Sequence, residues 1–323
     1  MNGLKARNVR SVLAFGILMS CGAPPRDFDA MYRYDAALPI ASREVARDER
    51  PGATVVDLTF RSALGGDVPA YLVLPQGTGP FPVVLFGHWM MPGSPMRNRH
   101  EFLEEAVVLA RAGAASLLID APQVRPGFPR DSNELATMAL DAMASRQQVV
   151  DFRRGLDLLI SRGDVDPDRI AFVGHSFNAH VGGILAAVEK RIGSFVLMAG
   201  GFADEAYVFD STNAQMVAFR SRHGDAPLRA YFEEHRWDDP VNFVGRSAPA
   251  TVFLQFGSRD DAIPSRLGRH YYGFFAEPKE IAFYDAGHSL DAIARRARVT
   301  WLAQRLALAP LDTSALDRIA ALQ

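Results

Sequence analysis

The sequence lacks the features that several classes of protein require. Cys21 is the only cysteine in 323 residues, so no disulfide can form within the chain. Lysine and arginine (35) nearly balance aspartate and glutamate (37), and no basic stripe indicates a nucleic-acid partner. None of the eight histidines stands in an H-E-x-x-H or similar spacing, so we expect neither a metal nor a cofactor. The sequence is therefore not expected to form an internal disulfide, to bind nucleic acid or to hold a metal ion.

The N-terminal apolar run, Val12–Met19, is too short to cross a bilayer, which needs about 20 apolar residues. Three basic residues precede it: Lys5, Arg7 and Arg10. A basic segment followed by a short apolar run is typical of a secretory signal. We therefore expect residues 1–20 to be a signal peptide.

The end of that run, Leu18-Met19-Ser20-Cys21, resembles the lipobox of bacterial lipoproteins, in which the signal is cut before an acylated cysteine. We expect lipidated Cys21 to anchor the exported protein to a membrane of the bacterial cell envelope, with residues 21–50 as a tether and N-terminal wrap. The alternative is conventional cleavage that leaves a free thiol. Pro24 disfavours that cut.

Residues 51–323 are predicted to form one large catalytic domain, because no linker or internal repeat interrupts them. Apolar runs predict a mostly parallel, eight-stranded sheet flanked by helices, with its first two strands antiparallel. The strands are expected near Thr54–Arg61, Pro69–Leu74, Val83–Phe86, Ala115–Ile119, Ile170–Val173, Ser194–Met198, Thr251–Phe256 and Glu280–Tyr284.

The most informative segment is Val173–Ala179, which places Ser176 on a sharp turn between an apolar strand and a helical pattern. An acid and a base follow in the chain order that such a nucleophile requires. Asp260 comes directly after the strand Ala250–Phe256, and His288 follows the strand Glu280–Tyr284. Because ligands bind beyond the carboxyl ends of strands in such sheets, we expect the three side chains to meet there.

A serine hydroxyl is a weak nucleophile at neutral pH, so His288 is predicted to accept its proton. Asp260 is predicted to accept a hydrogen bond from the other ring nitrogen of His288. Asp261 and Asp285 remain alternatives for the acid, since both lie close in sequence to the predicted residues.

These motifs resemble the α/β-hydrolase superfamily and, within it, the dienelactone hydrolase and bacterial acetyl-esterase branch. The resemblance extends from about Val55 to Leu308. It implies an α/β-hydrolase fold, with Asp260 in the acid position, and a helical cap insertion that we expect at residues 201–247. The matching segments are Gly174–Asn178, Gly257–Pro264, Gly287-His288, Asp164–Ile170 and Pro80–Gly87.

Two departures from that family matter. Asn178 stands where the family usually has glycine, two residues after the nucleophile, and its side chain needs space and partners. Dienelactone hydrolases proper use a cysteine nucleophile, whereas this chain has Ser176. The second departure disfavours lactone specificity.

The oxyanion of a tetrahedral intermediate needs hydrogen-bond donors. One predicted donor is the backbone N–H of Phe177. The family's second donor follows a His-Gly pair, which is replaced here by Phe86-Gly87, so the prediction is the N–H of His88 or, as second choice, of Trp89. The substrate pocket is predicted to include Trp89, Met90, Met91 and His175.

The sequence thus predicts a serine carboxylic-ester hydrolase that acts through an acyl-enzyme on small or medium acyl esters. One alternative is a serine peptidase of the prolyl-oligopeptidase type, which shares the turn around Asp260. We expect no N-terminal propeller of the kind found in that group, since the roughly 50 residues ahead of the predicted domain cannot form one. The other alternative is an inactive scaffold that binds a ligand or partner, which only Asn178 favours.

Overall fold

The computed structural model describes residues 27–201 and 204–320. The predicted signal peptide and Cys21 lie outside these residues. Within the described part, one mixed sheet contains nine strands. They are β1 (Arg43–Arg50), β2 (Ala53–Arg61), β3 (Asp67–Pro75), β4 (Phe81–Gly87), β5 (Ala115–Ile119), β6 (Val165–His175), β7 (Ser194–Met198), β8 (Thr251–Gly257) and β9 (Lys279–Tyr284).

The spatial order of the strands is β1-β2-β3-β5-β4-β6-β7-β8-β9. β1, β2 and β3 are antiparallel to the strands beside them, and β4 to β9 are parallel to one another. The chain crosses from β5 over β4 to β6, and Gly87 at the end of β4 is in register with Gly174 near the end of β6. This register brings the residues that follow β4 and β6 to the same edge of the sheet.

The prediction of eight strands was one short. The additional strand, β1, lies inside the segment 21–50 that the sequence predicts as a tether and wrap. Its residues, Arg-Glu-Val-Ala-Arg-Asp-Glu-Arg, show no apolar alternation, and almost all of them are exposed. Because β1 is an edge strand whose partner β2 supplies the ladder, its pairing leaves little trace in the hydrophobic pattern.

Helices cover both faces of the sheet. They are α1 (Leu103–Arg111), α2 (Glu134–Ser161), α3 (Phe177–Val188), α4 (Asp204–Asp210), α5 (Ala214–His223), α6 (Asp225–Glu234), α7 (Ser265–Phe274), α8 (Ala292–Arg305) and α9 (Thr313–Arg318). One apolar cluster lies between the sheet and the α2–α3 side, and a second lies between the sheet and α1 and α8. Among residues 27–201 and 204–320, no helix has the length and apolarity that crossing a membrane would need.

Three short helices, α4, α5 and α6, lie within the predicted cap insertion at 201–247. They form a small apolar cluster of their own around Val208, Phe219, Leu228 and Phe232. The segment ahead of β1 contacts the last part of the insertion, where the hydroxyl of the buried Tyr32 donates to the carbonyl of Trp237 at 2.6 Å. Residues of the insertion line the same cavity as Ser176, which follows β6, so the insertion covers the carboxyl edge of the sheet.

Candidate active site

Ser176 lies at the tight turn between β6 and α3 with φ 53° and ψ −110°. A positive φ is strained for a residue with a side chain, and such strain concentrates at functional turns. Two glycines make the turn possible: a Cβ on Gly174 would lie 2.2 Å from the carbonyl oxygen of Asn178, and one on Gly200 would lie 2.2 Å from that of Ser176. The turn presents the serine hydroxyl at the sheet edge.

Ser176, His288 and Asp260 form one hydrogen-bonded chain. The hydroxyl of Ser176 lies 2.9 Å from Nε2 of His288, and Nδ1 of His288 lies 2.8 Å from Oδ2 of Asp260. The Asp260 side chain is fully buried, and its Oδ1 accepts from the backbone N–H groups of Ala262 and Ile263 at 2.8 and 2.9 Å. The structure thus brings the three predicted side chains together.

Neither alternative acid is placed to replace Asp260. Asp285 is exposed and pairs with Arg259 at 2.9 Å, on a side chain that is 85% accessible. Asp261 is exposed as well. The acid that contacts His288 is the one whose carboxylate is oriented by its own turn.

Of the two predicted oxyanion donors, His88 and Trp89, the structure gives the second choice another partner. The N–H of Trp89 donates to Oε2 of Glu101 at 2.5 Å, so it is already engaged. His88 is buried at 1% exposure and does not line the cavity in front of Ser176. Met90 does line it. β4 ends at Gly87, so His88, Trp89 and Met90 all lie in the loop that follows this strand.

The His88 ring fixes the peptide that precedes Met90. Its Nε2 accepts the backbone N–H of Ala121 at 2.9 Å, so this nitrogen is unprotonated. Its Nδ1 therefore bears the proton and donates to the carbonyl of Trp89 at 2.7 Å. Burial lowers the pKa of His88, which agrees with a neutral ring. Because C=O and N–H point in opposite directions across a trans peptide, the N–H of Met90 points away from the His88 ring.

Asn178 has both the space and the partners that its side chain needs. The space is beside Gly87, where a Cβ would lie 2.5 Å from the Asn178 side chain. The amide Nδ2 donates to the carbonyl of His88 at 2.6 Å, and Oδ1 accepts from Nε2 of the buried Gln148 at 3.1 Å. The asparagine therefore joins the first turn of α3 to the loop after β4, residues 88–91, which is predicted to supply an oxyanion donor and is called the oxyanion loop below. The residue that favoured an inactive scaffold thus has hydrogen-bond partners for both ends of its amide.

Gln148 continues this network away from the site. Its Oε1 accepts from Arg125 at 3.3 Å, and Arg125 pairs with the fully buried Asp151 at 2.6 Å. Burial raises the pKa of the Asp151 carboxyl, and the Arg125 guanidinium opposes that rise. The buried Arg125–Asp151 pair thus supports the amide of Gln148, which in turn contacts Asn178.

A cavity of about 580 Å³ opens in front of Ser176 and His288. Met90 and Met91, as predicted, form part of its wall, together with Phe177. Six residues of the cap insertion close the far side: Tyr207, Val208, Met216, Phe219, Tyr231 and Phe232. A few polar groups from α2 and the end of the insertion also reach it, namely Asp141, Ser145 and Asp238, and burial raises the pKa of Asp141. The cavity is mostly apolar, with these few hydrogen-bonding groups in its lining.

The predictions for Trp89 and His175 as pocket residues were wrong. Trp89 is 2% exposed and His175 is fully buried, and neither lines the cavity. Their rings stack on each other with centroids 5.0 Å apart, behind His288. Residues on either side of a catalytic motif were assigned to the pocket by proximity in sequence, although alternate residues of a strand and its turn face opposite ways.

Sequence analysis missed Glu101, Gln148 and the individual residues of the cap. Glu101 lies just ahead of α1. Acidic residues are common at the start of helices, so no sequence pattern distinguishes Glu101. Among the described residues, no group of three or more His, Cys, Asp or Glu side chains is arranged to hold a metal ion.

Comparison with solved structures finds the same fold in several esterases. An acetyl xylan esterase from Thermoanaerobacterium sp. superposes with a TM-score of 0.70 at 20% identity, covering 87% of this chain and 94% of that one. The chain has the α/β-hydrolase fold. An acetyl xylan esterase from Paenibacillus sp. matches at 0.67 and 20% identity over 86% and 92% of the two chains. A cold-adapted esterase from an Arctic intertidal metagenomic library matches at 0.57 and 17% over 81% and 97%.

Comparison with known sequences gives matches that cover less of the chain. No family model matches the chain. The uncharacterized protein YfhR of Salmonella typhi is 27% identical over 150 residues, which are 45% of this chain. The chain spans about half the length of that relative, 49%.

Proposed function

We propose that this protein is a serine carboxylic-ester hydrolase that acts through an acyl-enzyme. The observation that carries the proposal is the hydrogen-bonded chain from Ser176 Oγ through His288 to Asp260, at 2.9 and 2.8 Å, on the floor of a cavity. The esterase names of the structural neighbours support it, since they share the fold that presents such a chain.

In the proposed first step, Oγ of Ser176 bonds to the ester carbonyl carbon while its proton passes to Nε2 of His288. The carboxylate of Asp260 stabilises the resulting imidazolium. The tetrahedral adduct collapses, the carbon–oxygen bond to the alcohol breaks, and His288 returns the proton to the leaving oxygen. Water then attacks the acyl-enzyme by the same proton transfers, which releases the acid and regenerates Ser176.

We propose that the oxyanion is bound by the N–H groups of Phe177 and Met90. Phe177 is the first residue of α3, and N–H groups in the first turn of a helix have no intrahelical acceptor. The N–H of Met90 points away from His88 in a peptide that the His88 ring orients, and Met90 lines the cavity beside Ser176. Losing one such donor lowers turnover by about 10²–10³-fold.

The substrate class follows from the cavity. Its volume of about 580 Å³ and its methionine and aromatic walls suit the acyl group of a small or medium ester. Asp141 and Ser145 of α2 can accept hydrogen bonds, which suits an alcohol part that carries further hydroxyl or amine groups. Nothing in the cavity favours a peptide over an ester.

A fluorophosphonate probe tests the nucleophile directly. We expect it to label the wild-type protein at Ser176 and to leave Ser176→Ala unlabelled. In parallel, p-nitrophenyl esters of increasing acyl length and an aminoacyl p-nitroanilide should separate esterase from peptidase activity. Labelling of another serine in the alanine variant would overturn the assignment, and turnover of the anilide alone would support the peptidase alternative.

We also propose that the enzyme is exported and attached through lipidated Cys21 to the cell envelope, facing the periplasm or the cell surface. The support is the segment Leu18-Met19-Ser20-Cys21 behind a basic and apolar leader. Replacing residues 1–21 with a cleavable signal that lacks a lipid site should move the protein from the detergent phase to the aqueous phase with its activity retained. Wild-type protein in the aqueous phase would exclude the anchor.

A further inference from the structure

A second acid–histidine pair lies directly behind the first. Nδ1 of His175 lies 2.5 Å from Oε1 of Glu101, and both side chains are fully buried. Glu101 comes from the start of the α1 region and His175 is the last residue of β6, immediately before Ser176. The proposed mechanism uses neither residue.

The second nitrogen of His175 reaches the backbone of His288. Nε2 lies 2.9 Å from the carbonyl oxygen of His288. A carbonyl can only accept, so Nε2 bears a proton. The other nitrogen and the Glu101 carboxyl then share one further proton, either as imidazolium with carboxylate or as neutral imidazole with carboxylic acid. In both forms the pair carries no net charge, which is compatible with its burial.

The pair also reaches the oxyanion loop. The other carboxyl oxygen of Glu101, Oε2, accepts the N–H of Trp89 at 2.5 Å. The Trp89 ring lies parallel to the ring of His175, at 5.0 Å, and to the ring of His288, at 6.4 Å. One buried pair is thus hydrogen-bonded to the backbone of the loop that carries the base and to the backbone of the loop that carries the oxyanion donor.

We infer that Glu101 and His175 are positioning residues that hold the His288 loop and the oxyanion loop in register with each other. The inference rests on the proposed roles of His288 and of the loop. The pair acts through hydrogen bonds to backbone atoms, and it takes no proton from the substrate. Its loss is expected to impair the chemical step rather than substrate binding, because a displacement of about 1 Å at a reacting group lowers rates by roughly 10²-fold.

Two substitutions of His175 separate its two contacts. In His175→Asn the amide occupies the place of Nδ1, so it can still donate to Glu101 but cannot reach the carbonyl of His288. In His175→Gln the amide occupies the place of Nε2 and can still donate to that carbonyl. We expect His175→Asn to lower kcat by about 10- to 10²-fold with KM almost unchanged, because it releases the loop that carries the base. His175→Gln keeps that contact and loses only the one to Glu101, so we expect a smaller loss of about fivefold.

Glu101→Gln and Glu101→Ala form the matching pair on the acid side. The glutamine can accept from Trp89 and donate to Nδ1 of His175, which then keeps its proton on Nε2 for His288. Glu101→Gln should therefore restore most of the kcat that Glu101→Ala loses. Equal losses in the two Glu101 variants, or equal kcat in the two His175 variants with only the melting temperature changed, would overturn the inference.

The rate of Ser176 labelling by a fluorophosphonate supplies a readout that needs no ester substrate. The labelling rates of the four variants should follow the same ranking as their kcat values. If the wild type labels at Ser176 but hydrolyses none of the esters, the proposed function fails while the ranking of labelling rates still tests the pair. Variants that label at the wild-type rate would contradict the positioning role whatever the substrate is.

Discussion

The two sides of Ser176 are built with very different numbers of contacts. On the base side, His288 is joined to Asp260 and to Ser176 by single hydrogen bonds of 2.8 and 2.9 Å, and it is partly exposed to the cavity. On the oxyanion side, both polar ends of the His88–Trp89 peptide are engaged, the carbonyl by Asn178 and the N–H by Glu101. The next carbonyl, that of Trp89, accepts from the His88 ring.

This difference follows from what each side has to do. The base must accept and release protons in every cycle, and its two ring nitrogens are hydrogen-bonded to Ser176 and Asp260. The oxyanion donors work only if they are already oriented when charge develops, since preorganised dipoles then need no rearrangement. A buried network that is fully satisfied provides that rigidity. We therefore expect substitutions on the base side to lower kcat by a large factor and substitutions on the oxyanion side to lower it by a smaller one.

The largest effect is expected on the base side. Asp260→Asn should lower kcat by about 10⁴-fold, because an asparagine favours the wrong tautomer of His288. Asp261→Asn is the matched control, since Asp261 is the exposed neighbour in the same turn, and it should retain most activity. Steady-state kinetics on p-nitrophenyl acetate measure both. The opposite ranking would transfer the acid role to Asp261.

A smaller effect is expected on the oxyanion side. Asn178→Gly restores the residue that the related family uses but removes the donor to the His88 carbonyl and the acceptor for Gln148. We expect kcat to fall by about 10- to 10²-fold, because the loop loses one of its several contacts and a small displacement of the oxyanion donor lowers the rate. KM should change little.

The melting temperature of Asn178→Gly should also fall, since Gln148 loses a buried partner. Gln148→Ala serves as a control, because it removes the support of Asn178 without touching the loop itself. If Asn178→Gly turned over esters at the wild-type rate, the network behind the loop would have no role in catalysis.

Much of this arrangement could be predicted from the sequence, and the exceptions have physical reasons. Ser176, His288 and Asp260 each follow an apolar strand, and parallel strands bring their carboxyl ends to one edge, so local patterns were enough to find them. Partners such as Glu101, in the turn ahead of α1, and Gln148, in α2, are distant in sequence from the residues they contact. Their side chains are of common types in ordinary positions, and only the packed structure shows which buried amide or N–H they contact.

The neutrality of His88 predicts a pH-dependent stability on the oxyanion side. Burial lowers the pKa of His88 below its ordinary value of 6.5, so the folded protein keeps the ring neutral while the unfolded chain takes up a proton below that pH. Stability is therefore full above pH 6.5 and is lost as the pH falls. One such group lowers the unfolding free energy by about 1.4 kcal/mol per pH unit in the acid range.

Imidazole ¹⁵N NMR and urea unfolding at several pH values test this together. The His88 ring should remain neutral with its proton on Nδ1 at a pH where free histidine is charged. In His88→Gln, the loss of unfolding free energy on acidification should be smaller than in the wild type. A folded-state His88 that titrates near its ordinary pKa would show that the ring does not hold the Trp89 carbonyl as described.

The smallest effect is expected at Asp285, although it lies only three residues before the base. Its carboxylate pairs with Arg259 at 2.9 Å, but the two side chains are 85% and 68% exposed. Exposed ion pairs contribute little to stability, because solvent screens both charges. Asp285→Asn should therefore leave kcat within about twofold of the wild type, with a melting temperature close to that of the matched variant Arg259→Gln. If Asp285→Asn instead lost activity to the extent of Asp260→Asn, the base would depend on a second carboxylate, and the simple contact pattern of the base side would no longer describe it.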